Sequence, residues 1–178
     1  MLKRLIYLGC FIVAALAVFV VEFPDGLMAA AIVSVMAGAI VLAIRKFADD
    51  KEFLSLVFLG ALVLRLAFGI FIDVFDLRMF FGTDALGYHE SSIHLLDVWM
   101  GRAELSGVLL LQTYDTSATF WGMYYLIAST YYLFGPKIFV VQSFVGVIGA
   151  ATVPMVYFCA KSIFGNIRVS RFAAVSIA

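Results

Sequence analysis

Long apolar runs separated by short charged stretches dominate this chain, and one polar, acid-rich insert breaks their rhythm. Residues 5–21, 27–44, 53–72 and 138–160 are almost wholly apolar. Helical runs of about 18 or more such residues match a hydrocarbon core ~30 Å thick, where a bare strand or loop could not satisfy its backbone. The pattern predicts four crossing helices. Between the first two, Glu22-Phe-Pro-Asp-Gly26 reads as a turn, because proline cannot continue a helix and Asp-Gly favours chain reversal. A signal peptide is the rival reading of the first run, with Ala15 and Ala17 near its end. The run is longer than the usual ~7–15 residues of a signal core, which favours an uncleaved hairpin.

The placement of charge orients these helices. Lys3 and Arg4 precede the first run, and Arg45 and Lys46 follow the second. Basic residues collect on the cytoplasmic side, so the N-terminus and the loop 45–52 are expected there. The third run then leads outward, and the insert 73–115 faces the periplasm or the cell exterior. Segment 120–134 is apolar but rich in Phe, Trp and Tyr, residues that gather at the headgroup boundary. If it crossed the bilayer, Lys161, Arg168 and Arg171 would fall outside, against the same rule. A re-entrant or surface-lying helix is therefore expected.

Composition agrees with the pattern: 65% of the 178 residues are hydrophobic and 13% charged, against about a quarter charged in soluble domains. A multi-pass protein of the inner or plasma membrane is expected, with the lipid bilayer as its first partner. Twelve basic and twelve acidic residues cancel, which argues against nucleic-acid binding. Cys10 and Cys159 both sit in apolar runs and read as small buried hydrophobes. Residues 168–178 read as the opening turns of a further crossing helix, so the chain is expected to be the N-terminal part of a longer protein.

The insert carries Asp73, Asp76, Asp84, His89, Glu90, His94, Asp97, Glu104 and Asp115. Thr83-Asp84 followed by residues 85–100 predicts a helix with a capped start. At about 100° per residue, Leu86, His89, Ile93, Leu96 and Met100 share one broad face. Asp84, Tyr88 and Ser91 line a second face, and Glu90, His94 and Asp97 a third. Such a helix would lie flat in the headgroup layer, apolar side down.

Asp84 could be an N-cap, a role worth ~1 kcal/mol, or a general base or polar clamp at the membrane boundary. A cap holds its carboxylate rigidly, so the two roles are compatible. Tyr88 could hydrogen-bond a substrate or anchor the helix at the boundary. Glu90, His94 and Asp97, spaced i, i+4, i+7, could bind a divalent metal or form a solvated polar face. His89 reads as a packed, neutral histidine, and Asp115 as a further acid. Arg65 lies inside the third run, where a charge costs roughly 2.5–3.5 kcal/mol on insertion scales. It could snorkel, pair with an acid of the insert, or bind a lipid phosphate.

Leu64-Arg-Leu66 within a span, Asp84-x3-Tyr88-x3-Ser92 in an outer loop and a glycine at 101 together resemble the start of the C-type (GT-C) glycosyltransferases. That family includes protein O-mannosyltransferases and lipid A aminoarabinose transferases. Tyr131-Tyr-Leu-Phe-Gly135, the run 138–160 and Lys161-Ser-Ile-Phe-Gly165 extend the likeness over residues 53–178. The chain departs from the family in having Asp84-Ala85 where an acidic pair is common, and in lacking a proline before the aromatic segment. The resemblance implies transfer of a sugar from a polyprenyl-phosphate donor to an acceptor hydroxyl on the extracytoplasmic face. It implies Asp84 as the general base or the group that orients the acceptor; Tyr88, Arg65, Glu90 and His94 are the candidate substrate-binding residues. It names neither the sugar nor the acceptor, and a second acid expected in the family would lie beyond residue 178, so this stretch alone is expected to be inactive.

The expected fold is all-α: a polytopic membrane helical bundle whose extracytoplasmic loop carries a juxtamembrane amphipathic helix. Residues 1–52 form a transmembrane hairpin and cytoplasmic loop, and 53–178 the beginning of the transferase-like domain, with 73–117 as its outer loop. A transporter, or a non-enzymatic membrane assembly protein, is the alternative.

Overall fold

The computed structural model describes residues 2–21, 23–81, 83–104 and 121–178, with the side chains of 2–4, 19, 78, 81, 83, 84 and 121 outside that description. Among the described residues every regular element is a helix. They are α1 (Leu2–Val20), α2 (Asp25–Phe47), α3 (Lys51–Val74), α4 (Arg78–Phe81), α5 (Thr83–Trp99), α6 (Trp121–Phe134), α7 (Ile138–Phe164) and α8 (Ile167–Ile177). Three of these, α2, α3 and α7, are long and apolar enough to cross a membrane. The run expected to cross first, 5–21, lies in α1, whose apolar stretch among the described residues is Leu5–Val18. The chain divides into two compact units, Met1–Phe71 with Gln142–Ala178, and Ile72–Val141. The expected outer loop, 73–117, falls within the bounds of the second.

In the first unit, α1 and α2 form the hairpin anticipated from Pro24 and Gly26. The reversal is so tight that a Cβ on Gly26 would lie 1.8 Å from the Ala17 carbonyl oxygen. Arg45 and Lys46 occupy the last turn of α2, where cations offset the partial negative charge of the exposed carbonyls. α3 and α7 run antiparallel, with Gly69 against Gln142, Leu66 against Gly146 and Arg65 against Gly149. Small residues at such positions let two membrane helices approach closely. The core between them gathers Ile44 of α2, Phe58, Ala61 and Leu62 of α3, Val147, Ala150, Val153 and Tyr157 of α7, and Ala174 of α8.

Charged residues staple one end of this unit. Lys161, near the end of α7, pairs with Asp49 in the α2–α3 loop. Arg171 of α8 grips Asp50 through two hydrogen bonds of 2.5 and 2.9 Å, the forked geometry that suits guanidinium to carboxylate. Its guanidinium also lies 5.0 Å from the centre of the Phe53 ring. α8 starts on Asn166, whose side-chain oxygen accepts from the Arg168 amide at 2.9 Å, as an N-cap does.

The second unit begins with the last turn of α3. Asp76 closes it in the left-handed region at φ 50, a conformation that Asp tolerates better than most residues, while the Leu77 amide donates to the Ile72 carbonyl at 2.9 Å. One of the insert's acids thus stops a helix. After α4, α5 packs on α6 through Leu95 and Ala128, flanked by Tyr124 and Tyr125. α5 ends at Gly101 (φ +68) and α6 at Gly135 (φ +85), both in the conformation where glycine carries no Cβ penalty.

Candidate functional site

The α5–α6 pair of the second unit gathers the polar and aromatic groups that could do chemistry. α5 is described from Thr83, so Asp84 stands at its N-terminal end. An acid there is favoured by the helix N-terminus. The Asp84 side chain lies outside the described residues, as does Asp115.

Residues 84, 88 and 92, four apart, follow one stripe of the helix, and the last two are drawn toward α6. The Tyr88 ring lies 5.2 Å from that of Tyr124, tilted by 51°. Ser92 is fully buried, and its hydroxyl donates to the Tyr124 carbonyl at 3.3 Å. Two turns on, Trp99 lies 5.8 Å from Tyr125. Aromatic pairs of this kind contribute about 0.5–1.5 kcal/mol each beyond their buried area. The seam therefore reads first as helix packing and second as a place where an aromatic surface and a hydroxyl meet.

His89 was expected to be a packed histidine, and its surroundings show what it packs on. Its Nδ1 is 2.6 Å from the Tyr131 hydroxyl, and the two rings meet edge to face at 5.6 Å. Tyr131 is almost wholly buried. With the phenol donating to Nδ1, the proton of a neutral imidazole sits on Nε2. Sequence reasoning missed Tyr131 as a partner, although Tyr124, Ala128 and Tyr131 share the i, i+4, i+7 spacing of one helix face.

The expected polar face behaves differently. Glu90 is exposed, and His94 and Asp97 are half-buried. Asp97 pairs at 3.7 Å with Arg102 beyond the helix end, and its carbonyl accepts the Arg102 amide at 2.8 Å. Among the described residues, no three His, Cys, Asp or Glu side chains are grouped so as to hold a metal. The face assigned to lipid is also rotated. Of its members Leu96 is buried and Met100 exposed, while Ser92 and Leu95, outside it, are buried.

Arg65 belongs to the first unit, whereas Tyr88, Glu90 and His94 belong to the second. Its Nη1 donates to the Ala178 carbonyl at 2.8 Å, and a Cβ on Gly149 would come within 3.1 Å of its Nε. The glycine makes the room that lets a guanidinium lie along the α7 surface. Among the described residues, no carboxylate forms an ion pair with Arg65. No family model matches this chain, and comparison with curated proteins and with solved structures gives no match either.

Proposed function

We propose that this chain belongs to a membrane glycosyltransferase that moves a sugar from a polyprenyl-phosphate donor to an acceptor hydroxyl on the extracytoplasmic face. The observation that carries the reading is the continuous helix α5. It holds Asp84, Tyr88 and Ser92 in one stripe, with the carboxylate at the N-terminal end and an aromatic helix alongside. Asp84 acts as general base: it takes the acceptor proton as the acceptor oxygen bonds to the anomeric carbon. The bond from that carbon to the phosphate oxygen breaks, and the polyprenyl phosphate leaves with the electron pair. A side chain within hydrogen-bond reach of the acceptor hydroxyl can take its proton as the new bond forms. Tyr88, Glu90, His94 and Arg65 remain the groups proposed around the substrate.

The staple at the α2–α3 loop supports the proposed topology. Lys161 and Arg171 reach Asp49 and Asp50, so α3 and α7 start and finish at a common level. If both cross the membrane, the segment between them begins and ends on one side, which is the extracytoplasmic one under the positive-inside rule. The test is transfer from a radiolabelled polyprenyl-phosphate sugar in membranes carrying the natural protein. Asp84→Asn is expected to lower the rate at least ~10²-fold, the usual contribution of a general base, with helical content unchanged. Normal transfer by that variant would end the proposal. A transporter is the second reading, favoured by Arg65 within a span without a carboxylate partner among the described residues. Uptake of an unmodified solute into proteoliposomes would select it.

A further inference from the structure

We infer that a cavity of the first unit, where α1, α2 and α3 meet, binds a phosphate group at the polar end of the crossing helices. The cavity, of about 260 Å³, is lined by Tyr7, Arg45, Lys51, Glu52, Ser55 and Leu56. That is slightly below the roughly 300–1,000 Å³ of clefts for drug-sized ligands, and suits a phosphate with its glycerol.

Ser55 is the observation that points to a ligand. It is 8% exposed, and its buried hydroxyl has no hydrogen-bond partner. Ser34, Thr130, Ser170 and Ser176 each turn their hydroxyl back to the carbonyl four residues earlier. Ser55 does not, although its helix offers the same acceptor. A buried donor left unpaired is unfavourable, and an acceptor oxygen arriving in the cavity removes that cost. The charges fit the same guest. Arg45 comes from the last turn of α2 and Lys51 from the first turn of α3. Among the described residues neither forms an ion pair, in contrast to Lys161 and Arg171 at the staple. Glu52 contributes one opposing carboxylate, so the lining carries a net charge of one positive unit, matching a phosphodiester monoanion. The Tyr7 hydroxyl is a further donor, and Leu56 offers an apolar wall. The site lies outside the α5–α6 pair and does not depend on the transferase reading.

Such a phosphate could belong to an anionic lipid headgroup or be free in solution. The purified protein in neutral detergent is titrated with short-chain phosphatidylglycerol, short-chain phosphatidylcholine and inorganic phosphate, and the thermal unfolding midpoint is followed. Phosphatidylglycerol is expected to half-saturate at least about tenfold below phosphatidylcholine. Each cation near an anionic headgroup is worth about fivefold in affinity, so the double variant Arg45→Gln/Lys51→Gln should weaken binding about 25-fold. Glu52→Gln should tighten it severalfold, and decides the matter alone if the double variant fails to fold. Stabilisation by inorganic phosphate as well would identify a free-phosphate site; stabilisation by the lipid only would identify a headgroup site. Equal response to the two lipids, or a Glu52→Gln protein that titrates like the wild type, would overturn the inference.

Discussion

Gly26 shows how one missing side chain sets a connection. A Cβ there would sit 1.8 Å from the Ala17 carbonyl oxygen and 3.2 Å from Val21 Cβ, and the first neighbour is backbone that cannot rotate away. Gly26→Ala must therefore open the α1–α2 hairpin. It is expected to cost about 3 kcal/mol or more, at the upper end of overpacking effects, in detergent-titrated unfolding. Gly38 and Gly60 meet nothing within 4 Å, and alanine at either should stay within about 0.5 kcal/mol of the wild type. Asp49 gives a residue-scale effect of pH. The hydrogen bond from Lys161, and then the charge of that ammonium, hold its carboxyl below the ordinary carboxylate range. A group whose pKa is lowered on folding stabilises the protein above its unfolded pKa, and this is lost as pH falls through the folded one. Stability should therefore drop at pH values below the ordinary carboxylate range. In Asp49→Asn, unfolding followed across pH should lack this part of the acid limb, so the gap from the wild type narrows as pH falls. Equal acid limbs in the two proteins would rule the pair out as a contributor.

Between elements, Leu95 of α5 meets Ala128 of α6 in the second unit, both buried, with Tyr124 and Tyr125 at their sides. Ala128 is fully buried, so the methyl group sets the distance between the helices. Ala128→Leu adds three carbons where none fit, and should destabilise the pair by about 1–3 kcal/mol. The same change should weaken the Trp99–Tyr125 contact, visible as altered tryptophan fluorescence before global unfolding; an unchanged spectrum would mean α6 yields without moving α5. This interface also marks the limit of what the pattern along the chain could reveal. The existence of α5 was legible from its start at Thr83 and its period. Its buried face was not, because the periodicity of α5 alone does not say whether lipid or another helix covers it. Tyr88, read as a substrate group, and Ser92, part of the family resemblance, meet α6, and Asp76, counted among the candidate acids, closes a helix. Gly101 and Gly135, part of the family resemblance, have an equally local role as left-handed helix ends.

For the whole molecule, the apolar runs were the strongest signal, because length against bilayer thickness is a one-dimensional property. Pairing between distant loops is not, and the staple of Asp49 to Lys161 and Asp50 to Arg171 could not be foreseen from spacing. It bears directly on the conflict over segment 120–134. α3, of 24 residues, and α7, of 27, extend about 36 and 40 Å, enough to cross. α6, of 14 residues, extends only about 21 Å against a core of ~30 Å. Were α6 to cross nonetheless, as the sole crossing between α3 and α7, Lys161 would face the compartment opposite Asp49, and neither ion pair could form within one chain. Single cysteines at Lys46, Glu90 and Ser162, in a background with Cys10 and Cys159 replaced by alanine, distinguish these arrangements through an impermeant maleimide. The ion pairs require positions 46 and 162 to react from the same side. One crossing by α3 between positions 46 and 90 requires position 90 to react from the other. Labelling of 46 and 162 from opposite faces would break the staple and with it the proposed placement of Asp84. Labelling of 90 together with 46 would leave the staple intact but would mean that α3 does not cross, and α5 would then share the compartment of position 46, against the proposed placement of Asp84.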